Sequence, residues 1–319
     1  MTFTILATDK VSESGLAKLV DDDRFEVVFA HDSTQPEFAE VLGRASALIV
    51  RSATDVSAEL LDGAPELRVI GRAGVGVDNI DIPAATQRGI AVVNAPSGNT
   101  IAAAELTMAL ILACVRHLAA ADASLRAGKW ERSAFKGWEL RGKRLGLIGA
   151  GRIGAEVAIR CMSFGMEVII YDPYLPENRA TEIGSRLTTL DDVITTADVI
   201  SCHVPLNDET RGMLDSEAFG RMKEGVFVVN ASRGGVVNEA DLADALESGR
   251  VRGAALDVYE EEPLAEDSPL RSAPNLTLTP HLGASTHEAQ EHVAVEVAEN
   301  VVRVLADDDR SMAFNRNDL

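Results

Sequence analysis

The chain alternates short apolar runs with helical stretches, and this alternation is the strongest constraint on its fold. Uninterrupted apolar runs of strand length are typical of parallel strands buried on both faces, with helices as the connections between them. A first series lies before residue 97 and predicts one α/β unit. Its runs are FTILAT (3–8), EVVFA (26–30), ALIVR (47–51), LRVIGRAG (67–74) and IAVVNAP (90–96).

A second series begins at residue 144 and predicts a second parallel sheet. An Ala- and Leu-rich stretch over 100–127, predicted as one long helix, and an arm with both tryptophans separate the two series. A final helix is predicted over 286–306, and we expect it to pack on the first unit. The runs of the second series are RLGLIGA (144–150), EVIIYD (167–172), DVISCHVP (198–205), VFVVNAS (226–232), GAALDVY (253–259) and LTLTPH (276–281).

The composition argues against several kinds of partner. The 319 residues include 30 Lys and Arg against 50 Asp and Glu, a formal net charge of −20 at pH 7. This charge repels nucleic acid backbones and anionic lipid, so we expect neither as a partner. The N-terminus shows no basic segment followed by a long apolar segment, as a secretion leader would. Cys114, Cys161 and Cys202 are far apart and odd in number, which is not the spacing of a disulfide framework or of a metal site. These features predict a cytoplasmic protein without a metal site.

A glycine-rich turn, Gly149-Ala150-Gly151-Arg152-Ile153-Gly154, lies between the first apolar run of the second series and a helical stretch. This context is typical of dinucleotide binding, in which the pyrophosphate meets the N-terminus of the helix. The next run ends in Asp172, whose carboxylate could accept hydrogen bonds from the adenosine ribose and would repel a 2′-phosphate. The turn therefore predicts a Rossmann domain that binds NAD rather than NADP.

Three later runs of the second series lead to residues that could take part in chemistry: Arg233 and Glu262 come after their runs, and His281 ends the last run. The carboxyl ends of parallel strands face one crevice, so these side chains could converge beside the cofactor. Each alone has an ordinary interpretation: a surface ion pair, an acidic loop or a core histidine. Together they suit a 2-hydroxy acid dehydrogenase, since histidine can exchange a proton with the substrate oxygen, a carboxylate can orient it, and arginine can hold the substrate carboxylate.

His203, which also ends a run, is the alternative acid or base, but no carboxylate is assigned to it. His287 and His292 resemble a metal motif, yet their spacing places them on different sides of a helix, so we interpret them as solvated.

Longer stretches of the chain resemble the D-isomer-specific 2-hydroxy acid dehydrogenase family, and within it the members that act on 3-phosphoglycerate. The resemblance covers about residues 45–300. It rests on VRSATDV, VIGRAGVGVDNID, NAPSGNTIAAAE, GKWERSAFKGWEL, GLIGAGRIG, FGMEVIIYDP, VVNASRGGVVNE, GAALDVYEEEP and PHLGAST.

The resemblance implies an α/β fold of two parallel-sheet domains, Rossmann-like and flavodoxin-like, in which the NAD-binding domain (97–285) is inserted into a discontinuous substrate-binding domain (1–96 and 286–319). It also implies roles for individual residues. The implied catalytic residues are Arg233, Glu262 and His281. The implied NAD contacts are Gly149, Gly151, Arg152, Ile153, Gly154, Asp172, Val204, Ala231, Asp257, His281, Gly283, Ala284 and Val75. The implied substrate contacts are Arg51, Ser52, Arg72, Ala73, Gly74 and Arg132.

The family resemblance further implies a small 2-hydroxy or 2-keto acid substrate, phosphorylated if the arginines bind phosphate, and oxidation of 3-phosphoglycerate as the first step of serine biosynthesis. We expect a homodimer, with Arg132 reaching the neighbouring subunit, and no control by serine, since the sequence ends soon after the final helix. Two alternatives remain: a hydroxypyruvate or glyoxylate reductase, and an NAD-responsive corepressor that binds partner peptides.

Overall fold

The structure, a computed structural model, describes residues 2–30, 34 and 36–319. The chain divides into a first unit, Met1–Thr100 with Ala284–Leu319, and a second unit, Ile101–Gly283. Each unit is built on its own sheet, and every strand pair in the two sheets is parallel. The α/β fold with two parallel sheets is therefore confirmed.

Over the part of the chain that the structure describes, the sheet of the first unit has five strands in the order β2-β1-β3-β4-β5. Its central strand Ala47–Val50 is buried at every position, and Val69–Arg72 is buried except at Arg72, as the continuous apolar runs require. The strands are β1 (Phe3–Ala7), β2 (Phe25–Phe29), β3 (Ala47–Val50), β4 (Val69–Arg72) and β5 (Ala91–Asn94).

The sheet of the second unit has seven strands in the order β12-β11-β10-β9-β6-β7-β8. Both faces of this sheet are covered, as two adjacent residues of β10 show. Val228 and Val229 point to opposite faces, and both are 0% exposed and belong to different core clusters. The short strand β8 was not predicted from the sequence. The strands are β6 (Arg144–Ile148), β7 (Glu167–Tyr171), β8 (Arg186–Leu187), β9 (Val199–Cys202), β10 (Val226–Asn230), β11 (Val251–Leu256) and β12 (Leu276–Leu278).

Helices lie between the strands of both units and after the last strand. They are α1 (Ala17–Val20), α2 (Pro36–Leu42), α3 (Ala58–Asp62), α4 (Ile82–Gln87), α5 (Thr100–Val115), α6 (Leu118–Arg126), α7 (Arg152–Ser163), α8 (Glu177–Ile183), α9 (Leu190–Thr196), α10 (Ser216–Arg221), α11 (Glu239–Glu247) and α12 (His287–Ala306). Short 3₁₀ turns occur at Ser14–Leu16, Arg132–Phe135 and Pro269–Arg271.

Helix α12 packs on the sheet of the first unit. The hydroxyl of Thr286 caps it by accepting the N–H of Ala289 at 3.1 Å. Val293, Val297 and Val301 recur every four residues on one face and are buried in the core cluster that contains β1 and β3. Two separate segments of the chain therefore share one core.

The prediction of a single helix over 100–127 was wrong, because the structure has two helices, α5 and α6, bent by 64°. His117 lies between them in the left-handed conformation, with φ 54°. The arm that follows returns to the end of α5, where the N–H of Trp138 donates to the carbonyl of Val115 at 3.0 Å. The carbonyl of Val115 therefore accepts a hydrogen bond from the arm, whereas in a continuous helix it would accept the N–H of the residue four positions later.

The two tryptophans of the arm have different environments. Trp138 packs edge-on against Phe227 at 5.5 Å between ring centroids, and the guanidinium of Arg252 lies 4.4 Å from the centre of its ring. Trp130 is 78% exposed.

Over the residues that the structure describes, no single helix has the length and apolar character to span a membrane; α5 and α6 pass that test only when taken together despite their bend.

Candidate active site

The glycine-rich turn connects β6 to α7 in the second unit. Gly149 has φ +88°, and a Cβ there would lie 2.5 Å from the carbonyl oxygen of His203, so a side chain would meet both strain and a clash. A Cβ on Gly154 would lie 2.5 Å from the oxygen of Gly149. Beside Gly151, by contrast, the space is open. The turn is thus closed toward the protein and accessible from outside at Gly151.

The turn lies where the strand order changes direction, between β6 and β9. Ligands of open parallel sheets bind at such a switch point, beyond the carboxyl ends of the strands. Gly151 is the N-cap of α7, a helix of 12 residues, and has no side chain that could cap the N–H groups of the first turn, where Arg152 and Ile153 lie. These N–H groups and the open space suit a pyrophosphate.

Asp172 follows β7 and is tied to this turn. One carboxylate oxygen accepts the N–H of Ala150 at 2.9 Å, and the other accepts the N–H of Tyr174 at 2.9 Å. The structure therefore brings Asp172 and the glycine-rich turn together, as a dinucleotide site requires. Each oxygen retains a lone pair for a further donor.

The ends of β9 and β10 lie beside the turn. Val204 places a methyl group 2.9 Å from the position of a Cβ on Gly149. The imidazole of its neighbour His203 bonds to the hydroxyl of Ser201 at 2.9 Å, and loss of hydration lowers the pKa of His203 to about 4. A neutral imidazole that bonds to a hydroxyl rather than to a carboxylate is poorly suited to act as the proton donor. Ala231 is the first residue after β10.

Two of the three predicted catalytic side chains form a direct hydrogen bond. Nδ1 of His281 lies 2.6 Å from a carboxylate oxygen of Glu262, and the other oxygen accepts the N–H of Tyr259 at 3.1 Å. The side chains are 47% and 37% exposed, respectively, so a ligand can reach them. His281 is also held in the left-handed conformation, with φ 52°.

Burial raises the pKa of Glu262, but the hydrogen bond and charge of His281, the Tyr259 N–H and the charge of Arg233 together outweigh it and hold that pKa below its ordinary value. Because the lowered pKa belongs to the folded state, the ionised carboxylate stabilises the fold above its usual titration range, and this contribution is lost as the pH falls through the lowered pKa. Near neutral pH, Glu262 is therefore an anion beside the imidazole.

Arg233 is placed by a compact turn after β10. Buried Asn230 accepts the N–H and hydroxyl of Ser232 and donates its amide to the carbonyl of Arg233 at 2.9 Å. The next residue, Gly234, lies so close to the loop after β11 that a Cβ would be 1.7 Å from the oxygen of Tyr259. This approach brings the loop of Arg233 against the loop that carries Glu262.

Asp257 has a role in the structure that the sequence did not indicate. It is 0% exposed, and its oxygens accept the hydroxyl of Thr279 at 2.6 Å and the N–H groups of Leu282 at 2.7 Å and Gly283 at 2.9 Å. These bonds hold the loop on both sides of His281. Ala284, the next residue, begins the second segment of the first unit.

The other predicted contacts lie on two different units. In the first unit, Arg51 and Ser52 follow β3, and Arg72 ends β4. The residues that follow β4 are Ala73, Gly74 and Val75. The guanidinium of Arg72 crosses Gly74 so closely that a Cβ there would lie 1.5 Å from Nη1. Arg132 is exposed on the 3₁₀ turn of the second unit.

Sequence reasoning missed the side chains that hold these loops. Asp9 and Asn79 bond to the backbone of the loop after β3, and Asn94 donates to the carbonyl of Val75 at 2.6 Å. Asp9 and Asn94 are short polar residues at the ends of predicted strands, which was the available signal, whereas Asn79 lies in the loop between two predicted strands. The partners of all three residues, however, are distant in the sequence.

Residues 108–283 match the family model described as D-isomer specific 2-hydroxyacid dehydrogenase, NAD binding domain. Over 300 residues the chain is 48% identical to a D-3-phosphoglycerate dehydrogenase of Archaeoglobus fulgidus, covering 94% of this chain and 57% of that protein. It therefore spans little more than half the length of the curated relatives it matches.

Solved structures of the same family superpose on most of the chain. A glyoxylate reductase from Paecilomyes thermophila has a TM-score of 0.85 at 29% identity. A D-lactate dehydrogenase from Aquifex aeolicus, complexed with NAD and lactic acid, has a TM-score of 0.81 at 30% identity. Both comparisons cover 97% of this chain and 97% of the other. The chain belongs to the D-isomer specific 2-hydroxyacid dehydrogenase family and carries its NAD-binding domain.

Proposed function

We propose that this protein is an NAD-dependent oxidoreductase that interconverts a D-2-hydroxy acid and its 2-keto acid. The observation that carries the proposal is the hydrogen bond between His281 and Glu262, formed on the same sheet as the glycine-rich turn. Bound NAD would supply the hydride acceptor for oxidation, and NADH the donor for reduction.

His281 is the proposed acid and base. Its Nδ1 is engaged by Glu262, so Nε2 is the nitrogen that takes the proton of the substrate hydroxyl, or returns it to the keto oxygen. The anionic Glu262 fixes the ring and stabilises its protonated form. Arg233 binds the substrate carboxylate through two parallel hydrogen bonds and polarises the adjacent carbonyl.

We infer that the substrate is 3-phosphoglycerate, oxidised to 3-phosphohydroxypyruvate, the first step of serine biosynthesis. The names of the relatives at 46–49% identity support this substrate. Arg51, Arg72 and Arg132 are local cations on a chain of net charge −20, and they are the proposed ligands of the phosphate. The similarity to a glyoxylate reductase keeps hydroxypyruvate or glyoxylate reduction as the second candidate.

A substrate panel tests the proposal. The purified protein is assayed with NAD and D-3-phosphoglycerate, D-glycerate or D-lactate, and with NADH and hydroxypyruvate or glyoxylate, while L-isomers serve as controls. We expect the highest kcat/KM with the phosphorylated D-acid. Turnover of only unphosphorylated acids would favour the second candidate, and no turnover with any acid would contradict the oxidoreductase proposal and favour a binding role.

Replacing the carboxylate that faces His281 should slow the reaction in both directions. Glu262→Gln keeps a side-chain oxygen next to Nδ1 but removes the negative charge that orients the ring during proton exchange, so we expect kcat to fall about tenfold. Steady-state kcat measured for oxidation and for reduction checks this, and a kcat within about twofold of wild type would show that the charge of Glu262 does not act on His281.

Asp172 should determine cofactor choice. Asp172→Asn removes the charge that repels a 2′-phosphate and weakens acceptance of ribose hydroxyls, so we expect NAD affinity to fall about tenfold and the preference for NAD over NADP to decrease. Calorimetric titration with each cofactor measures both effects. Asp244→Asn, an exposed carboxylate on α11, is the control; equal preference in the two variants would contradict the assignment.

We also propose a homodimer formed through α6 and the arm of the second unit. None of the nine residues of α6, all of them described, is buried, and Leu118, Leu125 and Trp130 are 63%, 57% and 78% exposed. Apolar surface of this kind is normally covered by a partner. We expect a dimer by light scattering and dissociation toward monomer in Leu125→Ser/Trp130→Ser; a monomeric wild-type protein would refute it.

A further inference from the structure

The first unit has its own topological switch point, between β1 and β3. The order β2-β1-β3-β4-β5 places β2 on one side of β1 and the later strands on the other. In open parallel sheets the crevice beyond such a point is where ligands bind. Asp9 lies two residues after β1, and Arg51 directly follows β3. The loop after β3 is therefore at the position where this sheet can bind a ligand.

The side chain of Asp9 bonds to both ends of that loop. One carboxylate oxygen accepts the N–H of Arg51 at 2.8 Å and the N–H of Thr54 at 3.0 Å, and the other accepts the hydroxyl of Thr54 at 2.6 Å. Asp9 and Lys10 are both left-handed, with φ 60° and 53°. Two successive non-glycine residues in this region are strained, and the three bonds hold that conformation.

Asn79 binds the same two residues through their carbonyls. Its amide donates to the oxygen of Arg51 and to the oxygen of Thr54, each at 2.7 Å. The N–H and C=O groups of both residues are thus bonded to two side chains. Between them, the N–H groups of Ser52 and Ala53 bond to no residue that the structure describes, and both residues are exposed.

We propose that Asp9, with Asn79, is a positioning residue for substrate binding. It holds the loop so that the Arg51 side chain and the open N–H groups of Ser52 and Ala53 meet one anionic group of the substrate, a carboxylate or a phosphate. Successive backbone N–H groups in a fixed loop form an anion-binding concavity. The inference rests on the proposed function, and because Asp9 contacts the loop rather than the reacting atoms, it affects KM and leaves the chemical step unchanged.

Two substitutions separate this role from general stability. Asp9→Gly removes all three bonds and also relieves the left-handed strain. Asp9→Asn keeps them, since its amide oxygen can accept both N–H groups and its amide nitrogen can donate to Thr54; Asn also tolerates a positive φ. Asp22→Gly is the control, because Asp22 also accepts a backbone N–H. Asp22 precedes β2 and therefore lies at the amino end of the strands, whereas the loop of Arg51 lies at their carboxyl end.

We expect Asp9→Gly to raise KM for the best D-2-hydroxy acid at least about tenfold, with kcat within about threefold, while Asp9→Asn and Asp22→Gly stay near wild type. If Asp9→Gly raises KM more for D-3-phosphoglycerate than for D-glycerate, the loop binds the phosphate. If KM rises equally for both acids, the loop binds the carboxylate. A KM that does not change in Asp9→Gly, or that Asp9→Asn fails to restore, overturns the proposal.

Hydrogen exchange at the amides of Arg51 and Thr54 tests the loop without catalysis. Protection should be lost in Asp9→Gly and kept in Asp9→Asn; retained protection in Asp9→Gly would overturn the proposal.

If the wild-type protein turns over no acid, the proposed function fails, and calorimetric binding of 3-phosphoglycerate decides the inference. Binding at least tenfold weaker in Asp9→Gly supports it, while equal binding, or none by the wild type, overturns it.

Discussion

Replacing His281 with Asn is expected to lower kcat by about 10²–10⁴-fold while leaving NAD affinity within about twofold of wild type. The amide cannot exchange a proton with the substrate oxygen, so the chemical step loses its acid and base. Asn is the best-matched replacement because residue 281 is left-handed, with φ 52°, and Asn tolerates this conformation better than most residues. Steady-state kinetics in both directions and calorimetric titration with NAD measure the two quantities.

His292→Asn is the matched control, since His292 is an exposed histidine on α12. It should leave both quantities unchanged. If His281→Asn kept kcat within tenfold of wild type, His281 would not be the proton donor. A loss of kcat accompanied by an equal loss of NAD affinity would instead indicate a disturbed cofactor site.

The second large effect is expected for Arg233→Lys, which keeps the positive charge but loses the planar pair of donors. We expect kcat/KM for the hydroxy acid to fall about 10²–10³-fold, the usual cost of removing a positioned donor at a developing charge. Asn230 and Ser232 hold the Arg233 turn through backbone and side-chain bonds, so the fold should tolerate the change. Kinetics with the preferred substrate, together with thermal unfolding, separate the two effects.

Arg179→Lys on α8 is the control, because the guanidinium of Arg179 forms an exposed ion pair with Glu182 in the same helix. Surface pairs of this kind contribute little, and neither activity nor stability should change. Retention of most of kcat/KM in Arg233→Lys would show that a point charge is enough, and would contradict two-point binding of the carboxylate.

Much of the fold could be predicted because its signals are local. A run such as VFVV is apolar at every position, which is favourable only where both faces of a strand are covered, and β10 forms there. The parallel arrangement also implies that Gly149, Arg233 and His281 lie at the carboxyl edge of one sheet. That inference requires no knowledge of any particular contact.

The break between α5 and α6 could not be predicted in the same way. The stretch over 100–127 favours a helix throughout, and the interruption at His117 accompanies a bond from Trp138 to Val115 that only the folded arm can make. The partners of Asp172 and Asp257 were equally inaccessible. Their carboxylates bind backbone N–H groups of loops that are remote in the chain. The residues next to an aspartate in the sequence do not indicate which remote loop its carboxylate will bind.

The sequence by itself determined the two series of buried strands, the glycine-rich turn and the chemical types of the proposed catalytic residues, because these depend on neighbouring residues and on the period of the pattern. Only the tertiary structure decided which side chains act on which. Asp9 meets Arg51 across 42 positions and Thr54 across 45, and Glu262 meets His281 across 19. Such pairs depend on strand order and on the path of each loop, which are set when the whole sheet packs.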